Sequence, residues 1–304
     1  MRAVVGGAVV VGLVLGGTAL ATSPGAARAV SAREDARHPS STTSSPAPST
    51  PGFAGASKGL VAAATPRAQS GRERPRYYEF YFTRAIFSDF GGRGGFGFGG
   101  NWAIDYPEAD WHFVQVARRL ANVDAYDGAE GNAVSLADPE LRRYPFLYAL
   151  EVGGMALTDE EVEGLRSYLA AGGFLIIDDF WGTQEWANFE REITRVLPGR
   201  PIVELGLDHP LFRIFYNIDE VVQVPGIRNG YNVSAGFGVT YERDGYTPHV
   251  RGIFDDKGRL MVAINWNTDL GDAWEHADDP YYPLEYSTYA FEVAMNLILF
   301  GMTH

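Results

Sequence analysis

The sequence predicts an α/β fold, a three-layer sandwich in which helices cover both faces of a mainly parallel sheet. Strand and helix patterns alternate with short connections between residues 145 and 199, and parallel strands need such crossover helices. The runs at 146–150 and 174–177 are wholly apolar, as in strands that are buried on both faces. The last third of the chain carries mostly strand patterns, so we expect a β-rich C-terminal part.

The predicted elements follow one another along the chain. Aromatic residues at 77–87 predict the first strand, and a proline near a first turn predicts a helix over 107–120. Thr158 and Glu161 form a capping box that begins a helix, and a glycine pair at 172–173 ends it. The other predicted elements are a strand at 133–136, a helix start at 138–139, a helix over 184–196, strands at 221–224, 237–241, 250–254 and 260–265, and a closing helix over 284–300.

Residues 1–29 have the layout of a secretory signal peptide. Arg2 precedes an uncharged apolar run over 3–21, and Ala19-Leu20-Ala21 and Ala27-Arg28-Ala29 both fit a small-residue cleavage site. An uncleaved membrane anchor is the alternative, because the run is about long enough to span a bilayer. We therefore expect an exported protein of the periplasm, cell envelope or extracellular space that meets a membrane only through an uncleaved signal.

Composition divides the rest of the chain and excludes several chemistries. Residues 30–74 are rich in Ser, Thr, Pro, Ala and Gly, which predicts a disordered linker before a folded domain at 75–304. The absence of cysteine excludes a thiolate nucleophile and a Cys-ligated zinc site. The net charge of −13, without a basic stripe, argues against nucleic acid as a partner.

Two adjacent acids follow the buried strand at 174–177. Asp178 and Asp179 thus lie at the carboxyl end of a parallel strand, where open α/β sheets bind ligands, and they are the candidate catalytic residues. The alternative is that one of them caps the next helix through its backbone N–H groups. Trp181, just beyond, is a candidate ligand contact. Arg84, at the end of the first strand, is a candidate for an anionic ligand or for pairing with Asp178, and a structural ion pair is its alternative role.

A second polar cluster follows the strand at 260–265. Residues 265–279 contain five acids, two asparagines, two tryptophans and a histidine, and this density of oxygen ligands suits Ca²⁺ or Mg²⁺. Tryptophan beside carboxylates also suits a sugar; the alternative is a solvated loop whose tryptophans pack in the core. No other cofactor is predicted. The candidate ligand-binding residues are Asn265, Asn267, Asp269, Asp272, Trp274 and Glu275, and the candidate metal ligands are Asp269, Asp272 and His276.

Several of these stretches resemble a known family. The strand at 146–150, the helix beginning at Thr158 and the run from Gly172 to Asp179 are similar to the middle of the class I glutamine-amidotransferase-like fold. With the segments at 82–84, 209–212 and 265–272, they resemble the DUF4159 family over residues 77–301. The resemblance implies an amidotransferase-like or flavodoxin-like sheet but no activity. Glutaminases of this fold place a cysteine after a central strand, where this chain has Asp178 and Asp179, and this argues against glutaminase chemistry.

Together these features favour a binding domain of the cell envelope that is not an amidotransferase. Its ligand would be a small polar molecule or a glycan, held by Asp178, Asp179, Asn267, Asp269 and Trp274. The first alternative is a hydrolase of sugar or peptidoglycan that uses one carboxyl as general acid and another as base. The second is a scaffold for an envelope protein assembly, which would expose a large apolar patch.

Overall fold

The computed structural model of the protein describes residues 78–90 and 100–304. The predicted signal at 1–29 and the predicted linker at 30–74 lie outside the described residues. Among the described helices, none combines the length and the apolar character that a membrane span requires.

The described part of the chain is a mixed α/β fold with one seven-stranded sheet and six α-helices. The strands are β1 (Arg84–Ile86), β2 (Ala133–Ser135), β3 (Phe146–Ala149), β4 (Phe174–Ile177), β5 (Val203–Glu204), β6 (His249–Phe254) and β7 (Leu260–Trp266). The α-helices are α1 (Glu108–Ala121), α2 (Asp159–Ala170), α3 (Gly182–Val196), α4 (Ile227–Ser234), α5 (Leu270–Glu275) and α6 (Leu284–Thr303). Short 3-10 helices stand at Asn101–Ala103, Pro139–Arg143, Val152–Gly154 and Pro210–Arg213.

The sheet is mostly parallel, as the alternation of strands and helices predicts. Its strand order is β2-β1-β3-β4-β7-β6-β5, in which the first five run parallel and β6 runs antiparallel to both of its neighbours. The predicted strands at 250–254 and 260–265 correspond to β6 and β7, which pair antiparallel. Because β3, β4 and β7 point the same way, their carboxyl ends meet at one edge of the sheet.

Alternate residues of the central strands enter two separate hydrophobic clusters. Phe146 and Tyr148 of β3 belong to a cluster with residues of α1, α5 and α6, whereas Leu147 and Ala149 belong to one with residues of α2 and α3. Successive side chains of a strand point to opposite faces, so the two clusters lie on opposite faces of the sheet. Burial on both faces explains why these strand sequences are apolar throughout.

The capping box that begins α2 is confirmed. Thr158 Oγ1 accepts a hydrogen bond from the Glu161 N–H at 3.2 Å, and Glu161 Oε2 accepts one from the Thr158 N–H at 2.9 Å. Glu161 Oε1 also accepts hydrogen bonds from the N–H and the hydroxyl of Ser88. The carboxylate at the start of the helix therefore also ties α2 to the segment after β1.

Three predicted strands differ from the structure. The first strand is shorter than the predicted 77–87, since β1 covers only Arg84–Ile86. The predicted strands at 221–224 and 237–241 are wrong, because neither joins the sheet and α4 lies between them. Both sides of β7 are already paired, with β4 and with β6, so no further strand can be added beside it. Val224 instead bonds to the loop after β7, through Thr268 Oγ1 and the Asp269 N–H.

Candidate functional site

Acidic residues follow each of the three central strands at their shared carboxyl edge. Glu151 follows β3, Asp178 and Asp179 follow β4, and Asp269 and Asp272 follow β7. Open α/β sheets bind their ligands at this edge. The fold therefore brings together the candidate acids from two stretches of sequence that lie about ninety residues apart.

Asp178 is fully buried at the end of β4 and reaches across to the start of α5. Its Oδ2 accepts hydrogen bonds from the Tyr148 hydroxyl at 2.6 Å, the Leu270 N–H at 2.9 Å and the Gly271 N–H at 3.2 Å. Its Oδ1 is also buried and has no hydrogen-bond partner among the described residues. Burial raises the pKa of Asp178 to about 7, although the hydrogen bonds to Oδ2 act in the opposite direction.

Asp179 occupies a left-handed turn between β4 and α3, with a φ of 44°. Its Oδ1 accepts a hydrogen bond from the indole N–H of Trp181 at 2.8 Å, and both side chains are buried. The pKa of Asp179 is raised well above its ordinary value by burial and then by repulsion from Glu151. Neither acid caps α3, because the residue at its N-cap is Trp181 and the Trp181 N–H bonds to Glu185.

The loop predicted after β7 contains the short helix α5, which is held at its start by carboxylates. Asp269 is its N-cap, and Asp269 Oδ1 accepts a hydrogen bond from the Asp272 N–H at 2.8 Å. Asp272 Oδ2 in turn accepts one from the Ile227 N–H at 2.5 Å. Burial, followed by repulsion from Asp179 and Asp272, raises the pKa of Asp269 well above its ordinary value.

Asp105 joins these acids from a left-handed turn before α1, with a φ of 58°. One oxygen from each of Asp105, Asp269 and Asp272 lies within 4.8 Å of the other two. Asp105 Oδ2 is buried without a hydrogen-bond partner among the described residues, and a Cβ on Gly271 would collide with it. No pattern in the sequence predicts a role for Asp105, because a single acid in a turn carries no spacing signal.

Arg84 pairs with Asp110 of α1 and not with Asp178, so it has the role of a structural ion pair, which was the alternative for this residue. Arg84 and Asp110 are both buried. Asp178 Oδ2 already accepts hydrogen bonds from three other donors. Arg84 Nη1 also donates to the carbonyl oxygens of Trp102 and Ile104. Arg84 is therefore enclosed in the protein and holds the turn that carries Asp105.

Three other predicted ligand-binding residues have structural roles. Asn265 Nδ2 donates to the Ile177 carbonyl, which links β7 to β4. Asn267 Oδ1 accepts from the Gly182 N–H, and its Nδ2 donates to a backbone carbonyl in the 226–247 segment. Trp274 is 1% exposed and is enclosed by aromatic rings of the core. This is the alternative given for the tryptophans of this stretch, which was packing in the core.

Glu275 and His276 form a second group with Asp272. His276 Nε2 lies 3.2 Å from Glu275 Oε2 and 3.8 Å from Asp272 Oδ1. One possible ligand atom of each of the three residues lies within 4.8 Å of the others, and all three side chains are half-buried. The two predicted metal ligands Asp269 and Asp272 are thus close together, and His276 meets them only through Asp272.

The segment at 226–247 closes against the acids, and its part in the site is not predicted by the sequence. A Cβ on Gly226 would stand 3.2 Å from oxygens of Glu242, Asp269 and Asp272, so this glycine lets three carboxylates approach the backbone. Arg243 forms an ion pair with Glu185 of α3 at 2.6 Å. The segment therefore adds a further carboxylate beside the pair from α5 and its N-cap.

The chain matches the family model described as a domain of unknown function, DUF4159, over residues 93–302. The chain belongs to the DUF4159 family. The match covers every acid described above, from Asp105 to Glu275, and confirms the resemblance at the level of the family. No curated protein matches the chain.

In this DUF4159 domain the acids form a carboxylate cluster with a surplus of negative charge. Its members are Asp105, Glu151, Asp178, Asp179, Glu242, Asp269 and Asp272. Burial and then repulsion from Glu185 and Glu242 raise the pKa of Glu151 to about 7, and burial and then repulsion from Asp272 raise that of Asp105 well above its ordinary value. Of the nearby cations, Arg84 pairs with Asp110 and Arg243 with Glu185. The cluster therefore suits a bound cation, or protons where no cation is bound.

Proposed function

We propose that this domain binds a small polar ligand or a glycan with the help of a divalent cation, Ca²⁺ or Mg²⁺, at Asp105, Asp269 and Asp272. The observation that carries the proposal is the approach of three carboxylate oxygens to within 4.8 Å of one another. Ca²⁺ binds oxygen ligands at about 2.3–2.6 Å and Mg²⁺ at about 2.0–2.1 Å, so oxygens on opposite sides of one ion are about 4.6–5.2 Å or about 4.0–4.2 Å apart. The spacing of the three acids is that of ligands around one ion.

The unpaired oxygens of the cluster support the same proposal. A buried carboxylate without a partner is costly, and proteins pair such a group with a cation or keep it protonated. Asp105 Oδ2 and Asp178 Oδ1 are both buried without a hydrogen-bond partner among the described residues. A cation beside Asp105 would supply the missing interaction and lower the raised pKa of the surrounding carboxyls.

Exposed aromatic rings in the 226–247 segment support a ligand with apolar faces, such as a sugar. Phe237 is 63% exposed and Tyr246 is 65% exposed, and both belong to the 226–247 segment that carries Glu242. Tyr246 packs edge-to-face on Tyr241, with ring centroids 4.7 Å apart. Sugar rings stack on such aromatic surfaces while their hydroxyls bond to carboxylates or to a bound cation.

Calorimetric titration of the purified, chelator-treated protein with CaCl₂ and with MgCl₂ tests the cation. Asp269→Asn removes one ligand charge but keeps an effective N-cap for α5, and we expect it to weaken binding at least about tenfold. Asp256→Asn is the matched control. This substitution makes the same change in charge, and Asp256 is 92% exposed in the β6–β7 turn. Absence of binding at millimolar concentrations of both ions would refute the proposal.

A hydrolase of sugar or peptidoglycan is the second candidate, favoured by the pKa of about 7 for both Asp178 and Glu151. A general acid must hold a proton near neutral pH, and the two carboxyls lie at the same edge of the sheet. The experiment is release of soluble fragments from peptidoglycan or a glycoside, abolished by Asp178→Asn. If the wild-type protein releases no fragments at high enzyme concentration, the hydrolase function is refuted and the binding function remains. A scaffold for envelope proteins is a third candidate, which would be favoured if the titrations detect no bound cation and the assay detects no released fragments.

We also propose a finer description of the fold and of its location. The two hydrophobic clusters on opposite faces of the sheet support a three-layer sandwich of amidotransferase-like or flavodoxin-like type. Asp179 lies in a left-handed turn directly after β4, and the resemblance implies that glutaminases of that fold carry their cysteine at this position. The signal-like residues 1–29 support export to the periplasm, cell envelope or extracellular space. Cell fractionation tests the location, and finding the protein in the cytosol would refute it.

A further inference from the structure

We infer that Glu242 is a further ligand of the cation proposed above, and that binding of this ion fastens the 226–247 segment over the site. The inference rests on the proposed function, because it assumes the ion assigned there to three aspartates. Its own observation is the convergence of three carboxylate oxygens on the backbone of Gly226, at the start of the segment.

Three side chains from two separate parts of the chain line one small space beside Gly226. A Cβ built on Gly226 would lie 3.2 Å from each of Asp269 Oδ2, Asp272 Oδ2 and Glu242 Oε1. Ligands on opposite sides of Ca²⁺ are about 4.6–5.2 Å apart, so these oxygens can share one ion after small movements of their side chains. The space stays open because glycine has no side chain to fill it.

Asp269 supplies an independent sign that a ligand belongs in this space. It is only 4% exposed, and its Oδ1 accepts a hydrogen bond from the Asp272 N–H. Its Oδ2, the oxygen directed at Gly226, has no hydrogen-bond partner in the described part of the chain. A carboxylate of a buried residue is costly when it lacks donors, and a cation or a proton offsets that cost.

Glu242 has no cationic partner of its own. The adjacent Arg243 pairs instead with Glu185, at 2.6 Å. Within residues 78–90 and 100–304, no hydrogen bond or ion pair engages the Glu242 carboxylate. It is half-buried and lies beside two other acids, where a shared cation would stabilise it.

The number of carboxylates indicates Ca²⁺ and not Mg²⁺. Glu242 adds a fourth acidic side chain to those of Asp105, Asp269 and Asp272. Ca²⁺ takes about six to eight oxygen ligands in a flexible geometry, whereas Mg²⁺ keeps several waters and is usually bound by one or two carboxylates. We therefore expect CaCl₂ to bind more tightly than MgCl₂.

The residues that follow Glu242 hold the 226–247 segment to α3 through exposed contacts. Arg243 is 57% exposed in its ion pair with this helix. Asp244 accepts hydrogen bonds from the N–H and the hydroxyl of Thr183 at an exposed position. Contacts of this kind contribute little to stability, because water and salt screen them.

A bound cation reverses the balance of charge at this attachment. Without it, Glu242 and the two aspartates repel one another and oppose closure of the segment. With it, the same carboxylates attract one ion and the segment is fastened. Phe237 and Tyr246 are exposed rings of this segment, so the ion would also fix the surface proposed for the sugar.

Calorimetric titration of the full-length, chelator-treated protein with CaCl₂ tests the ligand role of Glu242. We expect Glu242→Gln and Glu242→Asp each to weaken Ca²⁺ binding at least about tenfold, because the first removes the charge and the second shortens the side chain. Glu163→Gln is the matched control, since Glu163 is 69% exposed on α2 and the substitution should leave the affinity unchanged.

Limited proteolysis tests the fastening of the segment. Chymotrypsin cleaves after aromatic residues, and Phe237 and Tyr246 are 63% and 65% exposed. Relative to chelator, and with rates normalised to a peptide substrate, CaCl₂ should slow cleavage at these positions at least about tenfold in the wild type and in Glu163→Gln. In Glu242→Gln the rate should be the same with and without Ca²⁺.

The outcomes separate this inference from the proposed function. A wild type that binds neither CaCl₂ nor MgCl₂ overturns both. Ca²⁺ binding that Glu242→Gln leaves unchanged overturns the ligand role and leaves the site of the three aspartates standing. Full affinity in Glu242→Asp overturns that role as well, since Glu242 would then act through its charge alone.

Two further results bear on the remaining parts of the inference. Tighter binding of MgCl₂ than of CaCl₂ would overturn the coordination by four carboxylates. Ca²⁺ binding without protection from chymotrypsin would overturn the fastening of the segment. Circular dichroism of each variant establishes that a loss of binding does not reflect unfolding.

Discussion

Replacement of Asp178 by asparagine tests the electrostatic description of the cluster in the absence of any cation. The carbonyl oxygen of the new side chain can accept the three hydrogen bonds that Asp178 Oδ2 now accepts from Tyr148, Leu270 and Gly271. Its amide nitrogen would replace Oδ1, the oxygen without a partner among the described residues. The substitution therefore removes a buried charge while it keeps the hydrogen bonds that join β4 to α5.

The expected gain in stability follows from the raised pKa of Asp178. Burial moves it from an ordinary value of 3.8 to about 7. Between these values the folded state keeps a proton that the unfolded state has lost, so the free energy of unfolding falls as the pH rises through this window. At about 1.4 kcal/mol for each pH unit, the loss reaches about 4 kcal/mol by pH 8. Asp178→Asn should be more stable than wild type by up to that amount at pH 8 and equally stable at pH 4.

Urea unfolding followed by circular dichroism, in chelator at pH 4 to 8, measures the difference between the two proteins. The other acids of the cluster are present in both proteins, but the Asp178 charge raises the pKa of Asp105, Asp179 and Asp269, so the pH dependence of the difference measures the Asp178 charge together with its repulsion of these neighbours. Glu163→Gln, at an exposed position of α2, is the control and should change the free energy by less than about 0.5 kcal/mol. If Asp178→Asn is not stabilised at pH 8, or is stabilised equally at pH 4, the assignment of a buried charge to Asp178 is wrong.

Three further substitutions test separate parts of the structure. Arg84→Met leaves Asp110 buried without its partner and should lower the free energy of unfolding by about 3–5 kcal/mol in urea; a loss below about 1 kcal/mol would contradict the buried ion pair. Thr158→Ala removes half of the α2 capping box and should cost about 1 kcal/mol, or about 2–4 °C in Tm, whereas an unchanged Tm would argue against the cap. Gly226→Ala should weaken Ca²⁺ binding about tenfold without unfolding the protein, since its φ of −59° tolerates alanine but the methyl group would meet three carboxylates; unchanged affinity in calorimetry would place the ion elsewhere.

The way in which the site is assembled explains which of its residues are visible in the sequence. Asp178 and Asp179 follow an apolar run that is long enough for a buried strand, and this local pattern is sufficient to place them at a strand end. The acids after β7 are visible because they are dense. Asp105 and Glu242 have neither signal, since each is a single acid in an irregular segment that reaches the cluster only through the fold.

The sequence by itself determined the parallel α/β scaffold, the start of α2 and the two acidic stretches at strand ends. These features rest on neighbouring residues, such as apolar runs of strand length and the reciprocal bonds of Thr158 and Glu161, and so they can be predicted without knowledge of the rest of the chain. Apolar patterns of strand length were misleading at 221–224 and 237–241, because β7 is already paired on both sides and neither segment joins the sheet.

Only the tertiary structure decided which distant groups meet. Asp178 bonds to Leu270, 92 residues away, and this contact fixes the start of α5, a helix of six residues that local propensity alone would not stabilise. Arg84 took Asp110 as its partner, and Trp274 entered the core, because packing of α1 and α5 on the same face of the sheet set the distances. The carboxylate cluster is therefore a product of the crossing of separate segments, whose contacts no local pattern encodes.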